Sequence, residues 1–152
     1  VPMFSCTGKE NKLYFYEDDL RVSSKESVCL AKKKLENLFE YADSFGIHLY
    51  VLAAADKYDI YQPYIVGNTY AKAFVLDTLA ATCSSPRFVN SKDTLSIMAS
   101  TGVRDIYSCG DTHWSAIGAE AVAEMVAERI MALEKDTTLF STKSKISAKM
   151  SL

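Results

Sequence analysis

Between Ser23 and Gly46 the apolar positions fall three and four apart: Ala31, Leu35, Leu38, Phe39, Ala42 and Phe45. That spacing predicts a helix over 24–45 with these residues as its buried stripe. Ser23 and Glu26 stand at capping-box spacing at its start, and Gly46 supplies the positive-φ residue that closes it. Lys32, Lys33 and Lys34 read as its solvated face. The pattern then changes. Ile47 to Ala55 is an apolar run broken only by His48, which predicts a strand covered on both faces, as in a parallel sheet. Upstream, Leu13-Tyr14-Phe15-Tyr16 is aromatic and strand-like.

The alternation continues. Asp56 to Tyr64 is polar and aromatic, with Pro63 disfavouring helix at Gln62, and reads as a loop at the carboxyl end of the preceding strand. A helix over 69–82 carries Phe74, Val75 and Leu79. Arg87 to Asn90 is a short strand, and 91–100 a helix capped by Asn90 or Ser91 and stopped by Gly102. Val103 to Tyr107 reads as another strand and Cys109 to Trp114 as the loop after it. Ser115 caps a long helix to about Lys135. Ile117, Ala121, Val122, Met125, Val126, Ile130 and Leu133 form its buried stripe, and Glu120, Glu124 and Glu128 its opposite face. Strand and helix in turn predict an α/β domain, a mainly parallel sheet covered by helices. One domain over 1–136 and a polar tail over 137–152 are expected; the tail holds Ser, Thr and Lys with no acid.

Composition narrows the picture modestly. The chain has 152 residues, 49% apolar and 24% charged, as in ordinary globular domains. A net charge of −2 argues against a general nucleic-acid binder. No apolar run reaches the roughly 18 residues of a membrane-spanning helix. Cys6, Cys29, Cys83 and Cys109 form no C-x-x-C pair and are expected as free, buried or half-buried thiols.

The residues that carry chemistry lie at the last strand-to-helix junction, Asp111-Thr112-His113-Trp114. A carboxylate two residues from an imidazole can hold its Nδ1–H and leave Nε2 as a general base. The bland alternative is an aspartate that merely caps a turn. The Asp56–Tyr64 loop lies at a strand's carboxyl end, where ligands of open α/β sheets bind. Its tyrosines Tyr58, Tyr61 and Tyr64, with Tyr70, could stack on sugars or simply pack on the sheet edge. A metal site from Asp111, His113 and His48 is short of ligands, since the chain has two histidines. No cofactor is called for. His48 alone reads as a structural or edge residue.

Gly110 to Ala119, G-D-T-H-W-S-A-I-G-A, resembles the D-T-H-W-x-x-x-G-A signature of alginate O-acetyltransferase-type proteins, within the wider SGNH-hydrolase-like group that includes the related D-H-H-W family. Ala55-Asp56-Lys57-Tyr58 resembles that family's P-D-K-tyrosine strand end, with Ala55 in place of proline, and Leu13–Tyr16 resembles its opening aromatic strand. The resemblance spans roughly 12–134. It implies a flavodoxin-like three-layer fold and a serine esterase or acyltransferase acting on O-acetyl groups of polysaccharide, in the periplasm or at the cell surface. By the same resemblance Asp111 orients His113 and His113 activates a serine. Trp114 is expected to pack under the loop, with sugar stacking as its second reading, and Lys57, Tyr58 and Tyr61 are the other candidate substrate-binding residues.

The departure from that pattern is the nucleophile, which the family carries downstream of D-x-H-W in a G-x-S-type turn. Ser141, Ser144, Ser147 and Ser151 lack a glycine or a preceding apolar strand. Ser5 follows a short apolar start, and Ser115 is expected to be engaged as an N-cap. The serine is thus not identified, and a catalytically incomplete carbohydrate-binding module of the same fold is the alternative. If the sheet is cut short, self-association or a partner segment completing it is expected.

Overall fold

The computed structural model describes residues 23–134. The strand expected at Leu13–Tyr16, Ser5, Cys6 and the polar segment 137–152 lie outside the described residues.

Helix α1 spans Lys25–Ser44. Its N-cap is Ser24, one residue later than the spacing predicts, with Ser24 Oγ accepting from the Ser27 N–H at 3.1 Å. Gly46 closes it at φ +68°, its N–H donating to the Asp43 carbonyl at 2.9 Å. Val28 and Phe39 are buried against Leu79 and Phe88, with Leu35 packed beside them. Leu38 and Phe45, expected in the buried stripe, are exposed. At about 100° per residue each lies roughly a quarter turn from the face centred on Leu35 and Phe39.

Strand β1 (Val51–Ala53) pairs in parallel with β2 (Phe88–Asn90), Val51 against Phe88 and Ala53 against Asn90. Only three residues of the apolar run at 47–55 join the ladder, because the partner strand is itself three residues long. Past the ladder, Ser91 takes over. Its Oγ donates to the Ala53 carbonyl at 2.9 Å and accepts from the Ala55 N–H at 2.8 Å.

The segment after β1 is helical, contrary to the loop expected there. Helix α2 (Lys57–Tyr61) is opened by a complete capping box. Asp56 accepts from the Asp59 N–H at 2.8 Å, and Asp59 accepts from the Asp56 N–H at 3.2 Å. Pro63 does not prevent it, since α2 ends at Tyr61 and the proline sits in the first positions of a 3-10 turn, Gln62–Tyr64.

Helix α3 is shorter than expected, Val75–Thr82. Residues just before it are held by side chains instead. Gln62 Oε1 accepts from the Ala73 N–H at 2.9 Å, Tyr58 donates to the Ala71 carbonyl at 2.9 Å, and Asn68 Oδ1 accepts from the Tyr70 N–H at 3.0 Å. Helix α4 (Lys92–Ser100) has Ser91 at its cap position, but Asn90 Oδ1 supplies the bond, accepting from the Lys92 N–H at 3.1 Å. Gly102 follows it at φ +86°.

No regular strand forms over 103–107. Asp105 adopts φ +57°, which extended backbone cannot contain, and only a single antiparallel bridge joins Tyr107 to Trp114. Helix α5 spans Ala116–Leu133 and packs Val122 inward; Ile117 and Leu133, expected in its buried stripe, are exposed. One core cluster gathers Ile60, Leu95, Ile106, Tyr107 and Val122; the other lies under α1. The described architecture is α/β, a small parallel two-stranded sheet with five helices.

Candidate active site

The carboxyl end of β1 and the loop before α5 meet in space. Ala55 is the meeting point. Its carbonyl accepts from Trp114 Nε1 at 3.1 Å and from the Tyr107 hydroxyl at 2.8 Å, which also lies 3.0 Å from the Asp56 carbonyl. Burial pushes the Tyr107 phenol far above its ordinary value of 10.0, so it stays a neutral donor. The Ala55 N–H is used as well, on Ser91 Oγ. A proline at this position would have no N–H to give.

Lys57 makes the second tie. Its side chain is fully buried, and its ammonium donates to the Ser108 carbonyl at 2.7 Å and lies 3.4 Å from the Cys109 carbonyl. The α2 end thereby holds the backbone just before Asp111. Cys109 is disulfide-bonded, which corrects its expected free thiol; Cys29 and Cys83 are free.

The loop between carries the acid–base pair. Asp111 Oδ1 lies 2.5 Å from His113 Nδ1 and accepts from the His113 backbone N–H at 2.8 Å. The two bonds share one oxygen, so the carboxylate fixes both the ring and the chain that carries it. These bonds, the backbone one first, with the Lys57 charge nearby, hold Asp111 below its ordinary 3.8. With Nδ1–H on the carboxylate, the neutral ring presents Nε2 as an acceptor. The His113 side chain is 83% exposed and that of Asp111 53%. Among the described residues Nε2 has no hydrogen-bond partner.

Helix α5 seats this loop. Ser115 Oγ donates to the Asp105 carbonyl and accepts from the N–H groups of Ile117 and Gly118. Its oxygen is fully engaged as a cap. The Ser115 N–H donates to the Ile106 carbonyl at 3.0 Å. A Cβ on Gly118 would lie 2.2 Å from that same carbonyl oxygen. Glycine is required there by close backbone approach.

The residues expected to line substrate are placed differently. Lys57 and Tyr58 are fully buried and Tyr61 nearly so. Tyr58 hydroxyl is spent on the Ala71 carbonyl and accepts from Asn68 Nδ2 at 3.0 Å. Tyr61 stacks edge-on to Tyr107, ring centres 6.0 Å apart, and burial raises its phenol to about 12. Lys57 and Tyr61 pack beneath the loop through Ser108 and Tyr107; of the tyrosines in the segment, Tyr58 and Tyr61 are buried, Tyr64 is half-buried and Tyr70 is exposed. Trp114 is half-buried against the core; beside it an apolar cavity of about 380 Å³ lies between Leu52 and Val122, Val126 and Ile130. His48 is elsewhere, its Nδ1 2.7 Å from Glu134 Oε1 at the far end of α5. Among the described residues no group of three His, Cys, Asp or Glu side chains gathers for a metal ion. Sequence reasoning missed Ser91 and Tyr107. No local signal marks either, since their partners are carbonyls more than thirty residues away.

A family model described as "SGNH hydrolase-like domain, acetyltransferase AlgX" matches residues 6–150. The chain belongs to this family. Membership gives it the SGNH hydrolase-like fold, with which the parallel strands and flanking helices agree, and an acetyltransferase- or esterase-like class. No curated protein and no solved structure matches the chain. None of the described helices of this SGNH hydrolase-like domain is long and apolar enough to cross a membrane.

Proposed function

We propose that the chain works in acyl transfer at O-acetyl groups of carbohydrate, with His113 as general base and Asp111 as the group that orients it. The observation that carries this reading is the 2.5 Å contact between Asp111 Oδ1 and His113 Nδ1 in a loop held from both sides. His113 Nε2 takes the proton of a serine hydroxyl as its oxygen attacks the acetyl carbonyl carbon. The tetrahedral intermediate collapses, the sugar oxygen leaves, and His113 returns the proton to it. Water or another sugar hydroxyl then attacks the acetyl-serine by the same route, giving hydrolysis or transfer.

Among the described residues, Ser115 is excluded as nucleophile by its three bonds. The engaged Ser115 leaves the nucleophilic serine unassigned. The disulfide at Cys109 supports an oxidising compartment, periplasm or cell surface. Carbohydrate as the acyl acceptor or donor rests on the family alone. A fluorophosphonate probe tests the serine. The expected result is labelling of one serine that His113→Ala abolishes; equal labelling of both proteins would contradict it.

A further inference from the structure

Helix α1 has a second apolar face. Leu30, Leu38, Tyr41 and Phe45 are between 47% and 65% exposed. At about 100° per residue they fall within roughly 80° of arc, beside the stripe that packs on the core. Tyr41 and Phe45 meet edge-on, ring centres 5.0 Å apart, so the patch is continuous at that end. Ile47, 57% exposed, extends it past the helix. The stripe runs from residue 30 to 45, about 22 Å at 1.5 Å per residue. Contiguous apolar surface of this kind marks an interaction face.

The charges along the stripe indicate what covers it. Lys33 and Glu40, both exposed, border it on one side, seven residues apart, and Lys34 sits within it. Among the described residues none of the three forms an ion pair. In an antiparallel pair of identical helices, flanking positions of one side meet the same side of the partner. A two-fold axis beside Asn37 sets Lys33 against the partner's Glu40, and Glu40 against the partner's Lys33. The same register seats Leu30 between the partner's Tyr41 and the partner's Phe45. It brings the Lys34 ammonium to the partner's Tyr41 ring, a cation–π arrangement, and the two Leu38 side chains to the centre. One register thus satisfies both ion pairs, the lone cation and the apolar residues. We propose that the occupant of this face is a second copy of the chain, and that the protein forms an isologous dimer through α1, away from the Asp111–His113 loop.

Sedimentation of the full chain over a concentration series tests this, in a Cys29→Ser background so that the exposed thiol adds no cross-link. A monomer–dimer equilibrium is expected. Lys33→Glu places like charges opposite each other twice and should weaken dimerisation roughly tenfold or more. Lys33→Glu with Glu40→Lys exchanges the charges and should restore it, an outcome that general surface stickiness does not produce. Leu38→Glu should leave monomer. All these residues are exposed, so circular dichroism of each variant should match the parent. A parent that stays monomeric at high concentration would overturn the proposal. So would a dimer that Lys33→Glu and Leu38→Glu leave unchanged, or one that the charge exchange fails to restore.

Discussion

Lys57 ties the end of β1 to the Asp111–His113 loop through a charged hydrogen bond, and Lys57→Met tests that tie without emptying the site. Methionine keeps most of the apolar stem and removes the ammonium. The fully buried ammonium holds the Ser108 carbonyl at 2.7 Å and contributes weakly to the Cys109 carbonyl at 3.4 Å. A hydrogen bond to a charged group contributes about 1.5–3 kcal/mol. Losing the short bond strands a carbonyl, while releasing a buried charge returns part of its desolvation cost. The net loss is about 2 kcal/mol, or a Tm lower by roughly 4–8 °C. The functional effect should exceed this, because the freed segment runs directly into Asp111. Thermal unfolding gives the first number. The ring resonances of the two histidines, assigned through His48→Gln, give the second, with His113 shifted and broadened and His48 unchanged. An unaltered Tm together with an unaltered His113 resonance would refute the reasoning, since the loop would then be held by other contacts alone.

Further expectations follow from the same geometry. Gly118→Ala pushes a methyl into the Ile106 carbonyl and should cost about 1–3 kcal/mol in denaturant unfolding; a neutral result would mean that α5 can slide off the 103–107 segment. Ser115→Ala removes two accepted bonds at the α5 cap and the bond donated to the Asp105 carbonyl and should cost about 1–2 kcal/mol in denaturant unfolding; unchanged stability would contradict the cap. Asp111 is held below 3.8 by His113. A depressed carboxyl contributes stability above its unfolded value and loses it as pH falls through the folded one. The carboxyl ¹³C titration of Asp111 should therefore have its midpoint below 3.8, and Asp111 should be ionised throughout the working range; a midpoint at or above 3.8 would contradict the pairing. Ala55→Pro deletes the N–H bond to Ser91 Oγ and should destabilise by about 1–3 kcal/mol, whereas Ala55→Gly keeps it.

The parts of the fold that were legible are those whose cause is local. The α1 and α5 spans follow from apolar spacing and from Gly46 and Ser115 at their ends. The sheet pair follows from two short apolar runs around a helical segment. Val103–Tyr107 reads as a strand from its composition, yet a left-handed Asp105 breaks it, and nothing in the letters marks that φ. The Asp56–Tyr64 segment reads as a loop from Pro63, yet the Asp56–Asp59 capping pair starts a helix that ends before the proline.

The site divides the same way. Asp111 and His113 are two residues apart, so one loop brings them together and the sequence alone indicates it. Lys57, Tyr58 and Tyr61 carry groups that suit a ligand surface, and only the structure shows that all three are buried, Lys57 on the Ser108 carbonyl, Tyr58 on the Ala71 carbonyl and Tyr61 against Tyr107. Both faces of α1 carry apolar residues, and composition cannot say which one meets the core; Leu38 and Phe45 fit the spacing of the buried stripe and lie on the exposed face.

The central claim is that His113, oriented by Asp111, is the base of an acyl-transfer site. Its most direct test is hydrolysis of 4-nitrophenyl acetate by the chain beside His113→Ala, both shown folded by circular dichroism. The account predicts turnover by the chain and a loss of about 100-fold or more in the variant. Equal rates for the two proteins, whether both turn the ester over or neither rises above the uncatalysed reaction, would contradict it.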